Sequence, residues 1–152
     1  MHHAINTVDD MTFLLNEVFN LPTSWAASDS FSEYSGELAE AILTEAQRFA
    51  SEVIAPLNRN GDEQGCRLTD QGVLTPDGFP DAWAQFSASG WTSMGGDPQW
   101  GGQGMPKALS VLADEIFYAS NSAFMLYATL SVGAALAIDA HANADLKEIY
   151  LP

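Results

Sequence analysis

Between Ile116 and Ile138 the sequence carries no charged side chain, a run long enough to cross a bilayer as one helix. Its internal grammar argues for protein around it instead. Asn121 and Ser122 break the apolar pattern with helix-capping residues, and neither flank carries the Lys or Arg that anchors a span at the headgroups. Ala and Gly are dense through it, which suits helices packed closely on one another. The expectation is two bundle helices and no membrane span, with the second, roughly Phe124 to Ala140, apolar almost all round and central to the core.

The rest of the chain punctuates itself into further helices. Met11, Leu14, Leu15, Val18 and Phe19 form an amphipathic stripe, with Asp9 and Asp10 in its first turn and Pro22 beyond its end. A loop through Ser24, Ala27 and Ser28 follows. Ser30 and Glu33 have capping-box spacing for a helix running to about Ile54, where Pro56 stops it, with Leu38, Ile42, Phe49 and Val53 facing inward. Residues 58–78 are rich in Asn, Asp and Gly and read as an irregular surface connection. Phe79, Trp83 and Phe86 share one face of a helix that Gly90 ends, and a glycine-rich stretch leads to Pro106. Pro106 opens a helix with Leu109, Leu112, Ala113 and Ile116 inward and Lys107 and Asp114 toward water. A last helix begins near Ala144 with Leu146, Ile149 and Tyr150 on one side, and its pattern reads as cut short at Pro152. With no convincing strand pair, the fold class is all-α, an antiparallel bundle of about six helices. An N-terminal extension helix and loop occupies 1–30, and the main helical domain 31–152.

At 152 residues, 47% of them hydrophobic, the chain can bury one core, roughly 70% of its unfolded surface. Five Lys and Arg against 20 Asp and Glu leave a formal charge of −15, which repels a phosphate backbone and argues against nucleic acid as a partner. One cysteine, Cys66, and the lack of a basic then apolar leader favour a reducing cytoplasmic setting.

Most chemical motifs fail on spacing. Asn58, Asn60 and Asp62 begin like a calcium loop, but Gly61 is in the wrong slot and Thr69 stands where a bidentate Glu is required. Gly101, Gly102, Gln103, Gly104 and Lys107 match neither a dinucleotide nor a phosphate loop and read as a tight turn before a helix. His141 has no second ligand at metal spacing, and His2 and His3 sit in a tail, so no metal is expected. No base is specified for a Ser or Cys nucleophile. Glu115 borders an apolar face and is expected to accept a hydrogen bond from a loop. Met125, Thr129 and Gly133 recur at i, i+4 and i+8, a line whose bulk shrinks along one helix face. That face suits the border of an acyl tail; equally, Gly133 suits the crossing of a neighbouring helix.

Taken in order, the segments DMTFLLNEVF, VIAPLNRNGDEQGC, TPDGFPDAW, GWTSMGGDPQWGGQGMP and NSAFMLYATLSVGAALAIDAHANADLKEIYLP resemble the N-terminal helical domain of acyl-CoA dehydrogenases. The leading helix is similar to the branch with an N-terminal extension, which includes 3-methylmercaptopropionyl-CoA dehydrogenase-like enzymes. Trp100 stands where the family often has Tyr before Gly-Gly, and Ala142 near a place where Gly often precedes the last helix.

The resemblance implies an FAD-dependent oxidoreductase that oxidises an acyl-CoA thioester to the 2,3-enoyl-CoA in lipid β-oxidation. It implies a homo-oligomer, a homodimer or homotetramer, that passes electrons to an electron-transfer flavoprotein or similar acceptor. The glutamate base and most flavin contacts belong to later domains, so no catalytic residue is expected here and the chain alone is expected to be inactive. The resemblance carries over a substrate-binding wall: Met125, Thr129 and Gly133 facing the acyl chain, with Phe124 and Tyr127 nearby. The alternative is a free-standing, non-catalytic acidic helical interaction module, for which the acidity and the want of a complete site speak.

Overall fold

The computed structural model describes residues 7–152; His2 and His3 lie outside them. The all-α expectation holds, with one small hairpin added. Helix α1 (Thr7–Phe13) passes into a π-helical turn at Leu14–Val18 and packs on α3 (Gly36–Phe49). Val8, Met11 and Leu15 are buried there, whereas Phe13, Leu14, Val18 and Phe19 are exposed. Only two residues of the anticipated five-residue stripe therefore face inward, because the wider π turn changes the angular step that a 3.6-residue pattern assumes. Pro22 opens a short helix, α2 (Leu21–Ala26), where a loop was expected. α2 buries Trp25, whose ring meets Tyr34 edge-on at 6.4 Å.

The helix that sequence spacing starts at Ser30 starts at Gly36. Its cap is Ser35, whose hydroxyl accepts from the Leu38 N–H at 3.1 Å; residues 28–34 are turns, with Tyr34 N–H donating to the Phe31 carbonyl at 2.9 Å. The inward face is Ala39, Leu43, Ala46, Phe49, Ala50 and Ile54, turned about one residue from the expected stripe, so that Ile42 and Val53 are only partly buried and Leu38 is exposed. Pro56 does not end the run. The chain tightens through a π turn (Ala50–Ile54) and a 3-10 turn (Ala55–Leu57), then resumes as α4 (Asn58–Gln64). Gly61 in α4 lets the Phe79 ring approach to where a Cβ would lie 2.7 Å away.

Residues 58–78 are thus not wholly irregular: after α4 come β1 (Arg67–Thr69) and β2 (Gly72–Leu74), antiparallel, with Leu68 opposite Val73. Three-residue strands exposed on both faces carry no alternation for sequence reading to detect. Helix α5 (Phe79–Ala88) buries Phe79, Ala82 and Phe86 with Trp83 partly covered, and Gly90 beyond its end takes φ 81° as expected.

The glycine-rich stretch is a folded loop, held where Gln103 N–H donates to Ser93, Gly104 to Gly96 and Met105 to Met94 at 2.8–3.0 Å. Gly96 and Gly102 cross so closely that a Cβ on Gly102 would meet the Gly96 carbonyl at 2.1 Å.

Helices α6 (Lys107–Ser120) and α7 (Ser122–His141) are joined through Asn121 alone, and α8 (Ala144–Tyr150) follows. α6 packs along α3 and buries Leu109, Ala113, Ile116 and Phe117. At the centre Phe86 meets Phe117 at 5.1 Å and Phe124 at 5.7 Å, both edge-on, and Trp91 closes on Phe117 at 5.1 Å. Such pairs add about 1 kcal/mol each beyond the area they bury.

α7 is not the surrounded core helix its composition implies. Only Phe124, Met125 and Ala128 are buried, all near its start. By length and composition it is apolar enough to cross a bilayer, and little of it is buried among the described residues.

Candidate functional site

The α7 wall is built from its N-terminus outward. Asn121 is almost fully buried, and its Oδ1 accepts from the Phe124 N–H at 3.1 Å, which starts the helix sharply. That places Phe124 against Phe79 at 5.6 Å and Trp83 at 6.1 Å. Met125 follows it into the interior. Of the five residues singled out in the sequence, Phe124 and Met125 are thus in the packed interior, while Tyr127, Thr129 and Gly133 lie at the surface.

Tyr127 packs edge-on against Phe79 and Trp83, and its hydroxyl is 3.7 Å from Cys66 Sγ, which ties the hairpin's approach to α7. Burial, then the hydrogen bond and charge of Cys66, push its phenol above the usual tyrosine range. Thr129 is engaged on two sides: its Oγ1 donates to the Met125 carbonyl at 3.1 Å and is hydrogen-bonded to the Tyr118 hydroxyl of α6. A Cβ on Gly133 would meet nothing within 4 Å, so no helix among the described residues crosses there.

Tyr118 is the member that sequence reading missed. The signal was the one-residue junction at Asn121, which folds α6 back along α7 and brings positions either side of it together.

Beyond the wall the surface is apolar and open. Leu126 is 54% and Leu130 72% exposed, Leu136 is exposed, and α8 adds Leu146, Ile149 and Tyr150. Lys147 holds α8 to α7 through Asp139 at 3.2 Å.

The charged groups do not converge on a reacting centre. Glu115, expected to accept from a loop, is exposed, and its carboxylate makes no hydrogen bond among the described residues. Its neighbour Asp114 is half-buried, and desolvation raises its carboxyl above the usual range against the opposing pull of Lys107. Arg48 bridges Glu45 and Glu52 on the outside of α3, and its hydrogen bonds lower the Glu45 carboxyl. Among the described residues no three His, Cys, Asp or Glu side chains gather as metal ligands.

A hollow of about 450 Å³ lies between Tyr34, Ile42, Trp91 and Met105 with Glu33 and Glu45 beside it, and one of about 300 Å³ lies among Asp97, Trp100, Asp139, Lys147 and Glu148. Carboxylates at both repel the diphosphate of a dinucleotide. Neither fits FAD.

Residues 36–152 match the family described as acyl-CoA dehydrogenase, N-terminal domain. The 3-methylmercaptopropionyl-CoA dehydrogenase of Ruegeria pomeroyi is 34% identical over 95% of this chain and 24% of its own length. A butyryl-CoA dehydrogenase of Syntrophomonas wolfei is 24% identical over 94% of the chain and 24% of its own length. A broad-specificity linear acyl-CoA dehydrogenase of Mycobacterium tuberculosis is 28% identical over 84% of the chain and 21% of its own length. The chain therefore spans about a quarter of the curated relatives it matches. Family match and helical architecture agree, and the chain belongs to the acyl-CoA dehydrogenase family, as its N-terminal helical domain.

Proposed function

We propose that the chain serves as the N-terminal domain of an FAD-dependent enzyme that oxidises an acyl-CoA thioester to the 2,3-enoyl-CoA in the cytoplasm, as a homo-oligomer. In this reading residues 1–30 are an extension, and 31–152 form the domain proper. α7 provides the wall for the acyl tail through Thr129 and Gly133, with Tyr127 beside it and Phe124 and Met125 holding it from behind. The bare side of α7 and α8 packs against the flavin-bearing domain. FAD and the glutamate base come from elsewhere in the protein, and electrons leave to an electron-transfer flavoprotein or similar acceptor.

The observation that carries the reading is the apolar face of α7 and α8, exposed at Leu126, Leu130, Leu136 and Ile149, in a chain whose relatives are named as acyl-CoA dehydrogenases. Exposed apolar patches of this kind mark interfaces. The same face accounts for the hydropathy of α7 without a bilayer.

The test is to purify the product of the whole native reading frame. It is expected to carry a flavin absorbance band and to reduce an artificial electron acceptor only when an acyl-CoA is added. A product with neither overturns the reading in favour of a non-catalytic interaction module.

A further inference from the structure

The Tyr118 and Thr129 hydroxyls are hydrogen-bonded across the α6–α7 junction, and Thr129 Oγ1 also donates to the Met125 carbonyl one turn back. A threonine hydroxyl has one proton. With it on the Met125 carbonyl, the Tyr118 phenol is the donor in the pair, and Thr129 is its one acceptor among the described residues.

Threonine in a helix divides between two χ1 wells, because its hydroxyl can reach a backbone carbonyl from either. A donor fixed on a neighbouring helix chooses between them. Here Oγ1 is engaged both by α6 and by the carbonyl one turn back on α7, so the methyl is the branch of this exposed residue that no hydrogen bond holds. One neutral hydrogen bond biases such a choice roughly fivefold.

We propose that Tyr118 is a positioning residue that turns the Thr129 methyl outward, so that the wall offers hydrocarbon where its sequence has a hydroxyl. The ligand in this inference rests on the acyl-wall reading above; the rotamer rests on the hydrogen bonds alone. The wall so arranged accepts a saturated or otherwise apolar acyl tail at the depth of Thr129. A tail with a carbonyl or carboxylate there finds no donor, because the threonine proton is already committed, and an unpaired polar atom in a dry site is strongly disfavoured.

Two measurements test it separately. Three-bond couplings of the Thr129 methyl in the 152-residue chain report χ1, with one well expected in the native chain and averaging over two in Tyr118→Phe. Unchanged couplings in Tyr118→Phe overturn its role whatever the enzyme does.

In the flavin-loaded enzyme, Thr129→Ser is expected to lower kcat/KM for a saturated acyl-CoA about tenfold more than Thr129→Val does, mainly through KM, as loss of one buried methyl does elsewhere. The opposite order puts the hydroxyl on the tail and overturns the proposal, and this pair needs no change at Tyr118. Tyr118→Phe is expected to weaken discrimination against a carboxylate-ended tail, with no added effect in a Thr129→Val background; an equal added loss there means general packing and overturns positioning. An enzyme that oxidises no acyl-CoA while the couplings behave as expected overturns the acyl-wall reading, and with it the ligand.

Discussion

Single residues in this chain are governed by what their own element leaves them to do. Asp114 sits half-buried on α6 with its carboxyl raised by desolvation, only partly offset by Lys107. An acid raised in the folded state favours folding when protonated, so its contribution is fully present below the usual aspartate range and is lost as pH rises through the raised value. Asp114→Asn removes that dependence. Urea midpoints of the two chains are expected to diverge, in favour of the asparagine variant, as pH rises from the usual aspartate range through the raised value, and parallel midpoints would contradict the burial argument. At this scale the sequence was partly legible. Asn121 as a cap and Gly90 as a helix end follow from side-chain chemistry confined to a few neighbours. The Thr129–Tyr118 bond does not, because it depends on how two helices are rotated about a junction. Glu115 misled for the same reason: one residue of rotation puts Asp114, and not Glu115, in the half-buried position.

At the scale of the element, the helices were found more reliably than their faces. α5 ends and α6 and α7 begin close to their signals, since Gly90, Pro106 and Asn121 act locally. The π turns at Leu14–Val18 and Ala50–Ile54 have no comparable signature, and each alters which side chains point inward. The entry to α3 shows a different failure. Ser30 and Glu33 have the right spacing for a box, but the turns from Ser28 to Tyr34, anchored by Tyr34 on Trp25, occupy that segment. Ser35→Ala is therefore expected to cost about 1 kcal/mol of stability, the usual loss of an N-cap, while Ser30→Ala costs less than about 0.5 kcal/mol. Thermal unfolding of the two variants checks the assignment, and equal losses would return the cap to Ser30.

The molecule as a whole joins a well-packed aromatic centre to a helix covered on one side. The expectation that α7 is surrounded came from its composition, which records that α7 is apolar but not what lies against it. On its own the chain is expected to self-associate and to bind a hydrophobic dye through Leu126 and Leu130. Replacing both with Glu should suppress dye fluorescence and bring the sedimentation coefficient to that of a monomer. Unfolding midpoints should change little, since both side chains are largely exposed. Dye binding that survives the double change would move the sticky surface to Phe13, Val18 and Phe19 on the first helical segment. The family could be identified although the fold was misread in places, because ordered short segments survive errors in the elements between them. The Gly96–Gly102 crossing shows a second kind of economy. Two backbones touch there, so no rotamer can make room for a methyl group, and the contact works as a rivet whose tightness owes nothing to side-chain identity. The hollow between Asp97, Trp100 and Lys147 opens beside it; that recess can be redecorated by changing the residues on its rim, while the path of the loop that carries Asp97 and Trp100 stays the same.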